Sequence, residues 1–179
     1  GRPLSEVCIY ALPEPLAPVV AARRAGSVLD LVRIEEAFEG LAETSEQLLV
    51  EGVGGARVEI VEGLEVLDLA ARWDLDVLVV SANRLGVLSH TLLTVEALLR
   101  RGARVCGVVL NTVSDGPPTT AAQTNEAELR RLLPPEVPLL GCVGWVPPES
   151  QRDPEALAAA LDPVAAVILP DVGESTLRG

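Results

Sequence analysis

The sequence lacks lysine and methionine altogether, and both absences restrict what the chain can do. All 14 basic residues are therefore arginines. Lysine is the side chain most often used to hold a transferred phosphate, so this sequence alone is not expected to form a complete phosphoryl-transfer site. Because Gly1 is not a natural start, we expect preceding residues that were removed, are disordered or are carried by another chain.

Aromatic residues are scarce, at 2% of the 179 residues, so the core must consist of leucine, valine, alanine and isoleucine. Such a core suits a sheet covered by helices. A hydrophobic content of 49% at this length favours one domain with one substantial core. The 26 carboxylates and 14 arginines give a net charge of −12, which argues against nucleic acid as a partner.

Cysteine is also rare, and Cys8, Cys106 and Cys142 each lie in a short apolar run. Their odd number argues against a complete disulfide framework, so we expect buried free thiols. No apolar stretch reaches transmembrane length, and the first residues show no signal-peptide pattern. The sequence therefore predicts a cytoplasmic protein without a membrane partner.

Strand-like and helix-like segments alternate regularly in the second half of the sequence. Strands are predicted at 76–80, 104–110 and 138–143, and helices at 88–100 and 121–132. This alternation is typical of crossover units in a parallel sheet, so the predicted fold class is α/β. Ligands of such sheets bind at the carboxyl ends of the strands.

The remaining segments are less regular. Strands are predicted at 6–10 and 47–50, a short excursion at 57–60, and helices through 19–22, 29–41 and 66–73. A last helix is predicted at 157–161, and 164–169 is a candidate final strand. We therefore expect an α/β domain over 1–163 and a tail or extra strand over 164–179.

The loop after residue 50 combines a carboxylate with glycines, in the order Glu51-Gly52-Val53-Gly54-Gly55. A carboxylate that ends a strand is a common magnesium ligand in nucleotide-binding α/β proteins, and glycines let the backbone approach a ligand. A plain tight turn with a solvated glutamate explains the same residues. The pentapeptide alone does not decide between them.

Three further strand-end loops carry candidate residues. The segment 81–90 ends at a helix start, where free N–H groups would suit a carboxylate ligand, and it contains His90, the sole histidine, after Ser89; a capping or structural role explains the same two residues. Asn111 could contact a purine edge through its amide, or could be a turn residue. The loop 144–148 could wall a base-binding slot or be a stiff turn. Hydrolase, zinc-enzyme and dehydrogenase signatures are absent from the sequence.

Taken in order, these segments resemble the dethiobiotin synthetase family. The matching stretches are 14–18, 49–55, 85–90 with 93–94, 107–111 and 139–145. The resemblance covers about 10–162 and implies a P-loop NTPase-like fold, with a three-layer arrangement of helices around a parallel sheet. It also implies an ATP- and Mg²⁺-dependent enzyme that closes a ureido ring on 7,8-diaminopelargonate with CO2 in biotin biosynthesis.

The resemblance also implies a role for each candidate residue. Glu51 would be a magnesium ligand, and Gly54 and Gly55 would line the reacting centre. The nucleotide would be bound by a second group, Asn111, Gly144, Trp145 and Val146. The substrate carboxylate would be bound at a homodimer interface by a third group, Leu85, Gly86, Ser89 and His90.

The family's first strand and its phosphate loop have no counterpart in this sequence. A separate or upstream segment would have to supply the loop, and the tail at 171–176 echoes its end only faintly, with Glu174 in place of lysine. Two main hypotheses follow: an enzyme completed by such a segment, or a catalytically inactive relative that acts as a dimeric scaffold or regulatory binding protein. A different ATP-dependent amide-forming relative is a third.

Overall fold

The computed structural model describes residues 2–168, which divide after Trp73. The two compact units are Gly1–Trp73 and Asp74–Gly179. The predicted domain limits of 1–163 stay a prediction, and the phosphate-loop echo at 171–176 lies outside the described residues. Across the part of the chain that is described, no helix has both the length and the apolar character needed to span a bilayer.

Within the described residues, the first unit contains four helices and one β-hairpin. Its elements are α1 (Leu4–Val7), α2 (Pro18–Arg24), α3 (Leu31–Glu43), β1 (Glu59–Val61), β2 (Leu64–Glu65) and α4 (Val66–Arg72). Strands β1 and β2 pair antiparallel. The helices predicted at 19–22, 29–41 and 66–73 are thus confirmed, as is the short excursion before α4.

Local chemistry explains where these helices begin. Pro18 occupies the first turn of α2, where its missing N–H and fixed φ are harmless. Asp30 caps α3, because its Oδ1 accepts a hydrogen bond from the Val32 N–H at 2.9 Å.

The Phe38 and Trp73 rings stack with centroids 4.1 Å apart, so two of the few aromatic residues pack against each other.

Two predicted strands of the first unit are wrong. Residues 4–7 are helical and 8–10 are not a strand, and no strand forms at 47–50. A strand needs a neighbour, and at 47–50 the side chain of Leu49 is 95% exposed instead of packed on a sheet. Glu51 therefore does not end a strand in this structure.

The second unit is built on a parallel three-stranded sheet in the order β3-β4-β5. Its elements are β3 (Asp76–Ala82), α5 (Val87–Arg100), β4 (Arg104–Asn111), α6 (Thr120–Leu132), β5 (Leu139–Val143) and α7 (Pro154–Ile168). The α/β class, with helices flanking a parallel sheet, is confirmed. The predicted alternation from 76 to 143 matches the observed elements to within one or two residues.

Strand β4 lies at the centre of the sheet and forms the core of this unit. Val108 and Leu110 are fully buried, as is Leu129 on α6. Gly107 packs closely against its neighbour strand, since a Cβ atom added there would lie 2.6 Å from Cγ of Leu140. The absence of a side chain at Gly107 therefore lets Leu140 pack over β4.

The candidate final strand at 164–169 is wrong for the described residues, because α7 continues to Ile168. Val164 is 1% exposed and packs with Val109 and Val143. A helix face buries Val164 as completely as a strand would, so the apolar run did not distinguish the two structures.

The burial predicted for the cysteines is also wrong, although all three thiols are free. Cys8 and Cys106 are exposed, and Cys142 is half-buried. Cys106 belongs to β4, where successive side chains face opposite sides of the sheet, so an apolar run does not bury each of its members.

Candidate functional site

A cavity of about 490 Å³ opens at the carboxyl ends of β4 and β5. We call it the strand-end cavity; its lining includes Asn111, Thr112, Gly144, Trp145, Val146 and Gln151. Parallel strands place their carboxyl ends at one edge, and the Thr112 N–H donates to the Val143 carbonyl at 2.9 Å, joining the two loops. The volume lies within the range of small-molecule sites.

The four residues predicted to bind the nucleotide come together in this cavity. Asn111 ends β4, while Gly144, Trp145 and Val146 follow β5. Among the described residues, the side-chain amide of Asn111 makes no hydrogen bond, so both its donor and its acceptor can serve a ligand. The Trp145 side chain is 37% exposed and leaves a ring surface available for stacking.

Among the lining residues that were not predicted, Thr112 and Gln151 are the two polar ones. The Gln151 Nε2 atom donates to the Val146 carbonyl at 3.0 Å, which fixes the loop after β5. Thr112 follows Asn111 directly, so a strand-end rule extended by one residue would have found it. Gln151 comes from the turn after a short 3-10 helix at Pro148–Ser150, and no sequence pattern pointed to it.

The loop between β3 and α5 positions the residues predicted to bind the substrate carboxylate. Gly86 caps α5 in a left-handed conformation, with φ of 93°, and its carbonyl accepts from the His90 N–H at 3.2 Å. Leu85, Ser89 and His90 are exposed around this helix start. The possible reading of Ser89 as the helix cap is wrong, because Gly86 holds that place and Ser89 lies inside the first turn.

A polar network lies behind these two sites. Asn125, 4% exposed on α6, donates from Nδ2 to Asn83 Oδ1 at 2.8 Å and to the Arg84 carbonyl at 3.3 Å. The Asn83 N–H donates to the Asn111 carbonyl at 2.8 Å. Hydrogen bonds thus join α6, the β3–α5 loop and the end of β4.

A thiol, a carboxylate and a guanidinium form a second cluster between α6 and β5. Cys142 Sγ donates to Glu126 Oε2 at 3.3 Å, and Arg130 Nη2 donates to Glu126 Oε1 at 2.9 Å. Burial, and then the hydrogen bond to Glu126, raise the pKa of the Cys142 thiol to about 11. Arg130, followed by Cys142, holds the pKa of Glu126 below its usual value. The thiol is therefore a proton donor and a poor nucleophile near neutral pH.

The glycine loop at Glu51 belongs to the first unit. Gly54 has φ of 74°, a left-handed conformation that favours glycine, and a Cβ atom there would lie 3.1 Å from Val58 Cγ2. Glu51 and Gly55 are exposed. No group of three or more His, Cys, Asp or Glu side chains within residues 2–168 is arranged to hold a metal ion.

Comparison with known proteins agrees with this architecture. Residues 4–153 match the family described as an AAA domain. The chain is 40% identical over 152 residues to the ATP-dependent dethiobiotin synthetase BioD of Aromatoleum aromaticum, covering 85% of this chain and 64% of the relative. It is 41% identical over 153 residues to that of Anaeromyxobacter dehalogenans strain 2CP-C, covering 84% and 66%. The chain belongs to the dethiobiotin synthetase family.

The dethiobiotin synthetase of Janthinobacterium is also similar, at 40% identity over 153 residues, covering 86% of this chain and 62% of the relative. The chain thus spans a little under two thirds of the length of these relatives. Membership in the dethiobiotin synthetase family confirms the resemblance drawn from the ordered strand-end segments. The roles of individual residues stay predictions.

Proposed function

We propose that this chain is the nucleoside- and substrate-binding part of a dethiobiotin synthetase. The reaction is ATP- and Mg²⁺-dependent closure of a ureido ring on 7,8-diaminopelargonate with CO2, in biotin biosynthesis. The observation that carries the proposal is the strand-end cavity, where Asn111 and the loop after β5 converge. The names of the relatives support it, since each is an ATP-dependent dethiobiotin synthetase.

The strand-end cavity would bind the adenine base of ATP. The Asn111 amide would donate to one ring nitrogen and accept from the exocyclic amine, a pairing that an amide can make with adenine. Gly144 would leave room for the base, and Trp145 and Val146 would form an apolar wall. Such a site gains selectivity because a base without the matching groups leaves the Asn111 amide unpaired.

The start of α5 would bind the distal carboxylate of the diamine substrate. Gly86 caps a helix of 14 residues, and the N–H groups of its first turn carry the partial positive charge that suits a carboxylate. Ser89 and His90 are exposed in that turn and could add side-chain hydrogen bonds, while Leu85 would contact the aliphatic chain. No lysine is needed for this kind of recognition.

Glu51 would supply one oxygen ligand to Mg²⁺, and the backbone of Gly54 and Gly55 would line the reacting centre. Mg²⁺ at nucleotide sites is held by one or two carboxylates together with phosphate oxygens and water, so a single exposed carboxylate fits this role. Among the described residues, the Gly54 and Gly55 N–H groups donate no hydrogen bond and would remain available to an anion. When bound, the ion neutralises charge on the phosphates.

We propose further that the protein acts as a homodimer. Leu85 and Leu93 are 85% and 62% exposed, at the start of α5 and within it. Exposed leucines that lie beside a binding site are typical of an interaction surface. A second copy would then cover the substrate end of the site. The phosphate loop would come from a segment outside this sequence or from another chain.

Calorimetric titration of the chain with adenosine tests the cavity without requiring a phosphate loop. We expect saturable binding that weakens at least about tenfold in Asn111→Asp, because the carboxylate cannot donate to the base. Gln123→Glu is the matched control, since it makes the same amide-to-carboxylate change at an exposed site on α6. Absence of binding, or equal affinity for purine riboside, which lacks the exocyclic amine, would overturn the proposal and favour the inactive scaffold.

A further inference from the structure

Asn125 is the one asparagine that is fully buried among the described residues, at 4% exposure. It lies on α6, four residues before the buried Leu129, at a position where helix periodicity calls for an apolar side chain. A buried amide is costly unless its hydrogen bonds are made. Its presence on the apolar face therefore needs an explanation in terms of what it contacts.

The Asn125 side chain contacts the β3–α5 loop. Its Nδ2 atom donates to Asn83 Oδ1 at 2.8 Å and to the Arg84 carbonyl at 3.3 Å. The Arg84 carbonyl also accepts from the Val87 N–H at 3.2 Å, at the first residue of α5. Asn125 thereby fixes the carbonyl that forms the final turn before the helix.

The same network reaches the strand-end cavity. Asn83 donates from Nδ2 to the Ala122 carbonyl at 3.3 Å, and its backbone N–H donates to the Asn111 carbonyl at 2.8 Å. Asn83 is therefore held from α6 on one side and holds the end of β4 on the other. The backbone of Asn111 is fixed by a residue that Asn125 orients.

We infer that Asn125 is a positioning residue that couples the strand-end cavity to the start of α5. Its hydrogen bond to Asn83 orients the residue that holds Asn111 at one ligand site. Its hydrogen bond to the Arg84 carbonyl fixes the first turn of α5 at the other. The inference rests on the proposed function for the meaning of these two sites, while the coupling itself rests on hydrogen bonds alone.

The pairing of two asparagines permits a double-mutant test. In Asn83→Asp, the Asn125 amide can still donate to the new carboxylate. In Asn125→Asp, rotation of the Asn83 amide can restore the bond between the two side chains, although the bonds to the Ala122 and Arg84 carbonyls are then lost. The double variant Asn83→Asp/Asn125→Asp has acceptors on both sides and no donor, so two carboxylates face each other in a half-buried site.

Adenosine affinity of the single and double variants is the first measurement, at a temperature where circular dichroism shows all of them folded. We expect each single variant to weaken binding by about threefold and the double variant by at least about thirtyfold, more than the product of the two. Gln123→Glu, on the exposed face of α6, should leave affinity unchanged. A double variant that binds as tightly as either single variant would overturn the inference.

Amide hydrogen exchange is the second measurement, and it does not depend on nucleoside binding. In the double variant we expect faster exchange at the Asn83 and Val87 N–H groups, with protection of Val108 and Leu110 in β4 unchanged. Uniform loss of protection through β4 would mean general destabilisation and would overturn a positioning role. If the unmodified chain binds no adenosine, the proposed function fails, and exchange at Asn83 and Val87 alone decides the role of Asn125.

Discussion

At the scale of single residues, the Cys142 thiol shows how neighbours set chemical reactivity. Its pKa is raised to about 11, first by burial and then by the hydrogen bond to Glu126. A group whose pKa is raised by folding keeps its proton where the unfolded chain has lost it. The resulting stability is fully present below the unfolded pKa of about 9 and is lost as the pH rises through 11.

Iodoacetamide labelling followed by peptide mass spectrometry tests this state of Cys142. Between pH 7 and 9 we expect Cys142 to react more slowly than the exposed Cys8, because the thiolate is the reactive form. Glu126→Gln should raise the Cys142 rate several-fold at pH 9 by lowering its pKa, although burial remains. Glu128→Gln is the control, because the Glu128 carboxylate pairs with Arg131. An unchanged rate in Glu126→Gln would contradict the assigned cause.

At the scale of elements, the close packing of β4 on β5 depends on Gly107. Gly107→Ala places a methyl group 2.6 Å from Cγ of Leu140, so the strands or the leucine must move. We expect the free energy of unfolding to fall by about 1–3 kcal/mol, the usual cost of overpacking a core. Chemical denaturation followed by circular dichroism measures this change.

A second variant separates this contact from a general effect of alanine. Leu140→Ala removes the atoms that clash, so it should cost less in the Gly107→Ala background than in the unmodified chain. Gly116→Ala is a matched control, since a Cβ atom at Gly116 meets nothing within 4 Å and its φ is not in the left-handed region. A loss in Gly116→Ala equal to that in Gly107→Ala would rule out the steric explanation.

The elements also show which parts of the fold the sequence could predict. From 76 to 143 each strand and each crossover helix carries its own hydrophobic period, so the prediction needed no tertiary information. The strands predicted at 6–10 and 47–50 failed because a strand requires a partner, and a short apolar run does not reveal whether one is present. The strand predicted after residue 164 was wrong because a buried helix face has the same apolar composition as a buried strand.

The residues of the site also differ in whether the sequence could predict them. Asn111 and Trp145 could be predicted together because parallel strands bring their carboxyl ends to one edge of the sheet. Gln151 and Asn125 could not, since each reaches its partner across a fold that sequence spacing does not encode. Asn125 did leave a signal, an amide at an apolar position of α6, but only the structure shows that it contacts Asn83.

At the scale of the whole molecule, the exposed leucines near α5 test the proposed homodimer. We expect the chain to sediment as a dimer and Leu93→Arg to shift it toward monomer, because the charge would be buried in the interface. Leu93 is 62% exposed, so the substitution should cost the isolated fold little. Analytical ultracentrifugation across a concentration series measures the association.

Leu132→Arg is the matched control for this surface, since Leu132 is also an exposed leucine, at 38%, on α6 of the same unit. It should leave the sedimentation of the chain unchanged. A monomeric chain at all concentrations would contradict the proposed dimer. Dissociation by both substitutions would show that added charge, and not the α5 surface, is responsible.

The left-handed backbone of the cap at Gly86 determines which chirality of amino acid fits at this position. With φ of 93°, the backbone there is one that L side chains rarely adopt, whereas an added Cβ atom would make only an ordinary contact with the His90 ring, at 3.5 Å. For a D-residue the same dihedral angle is an ordinary one. In a chemically synthesised chain, D-alanine at 86 would restrict the unfolded ensemble without straining the native turn. The entrance to α5 is thus a position where the mirror-image amino acid fits better than any encoded one except glycine.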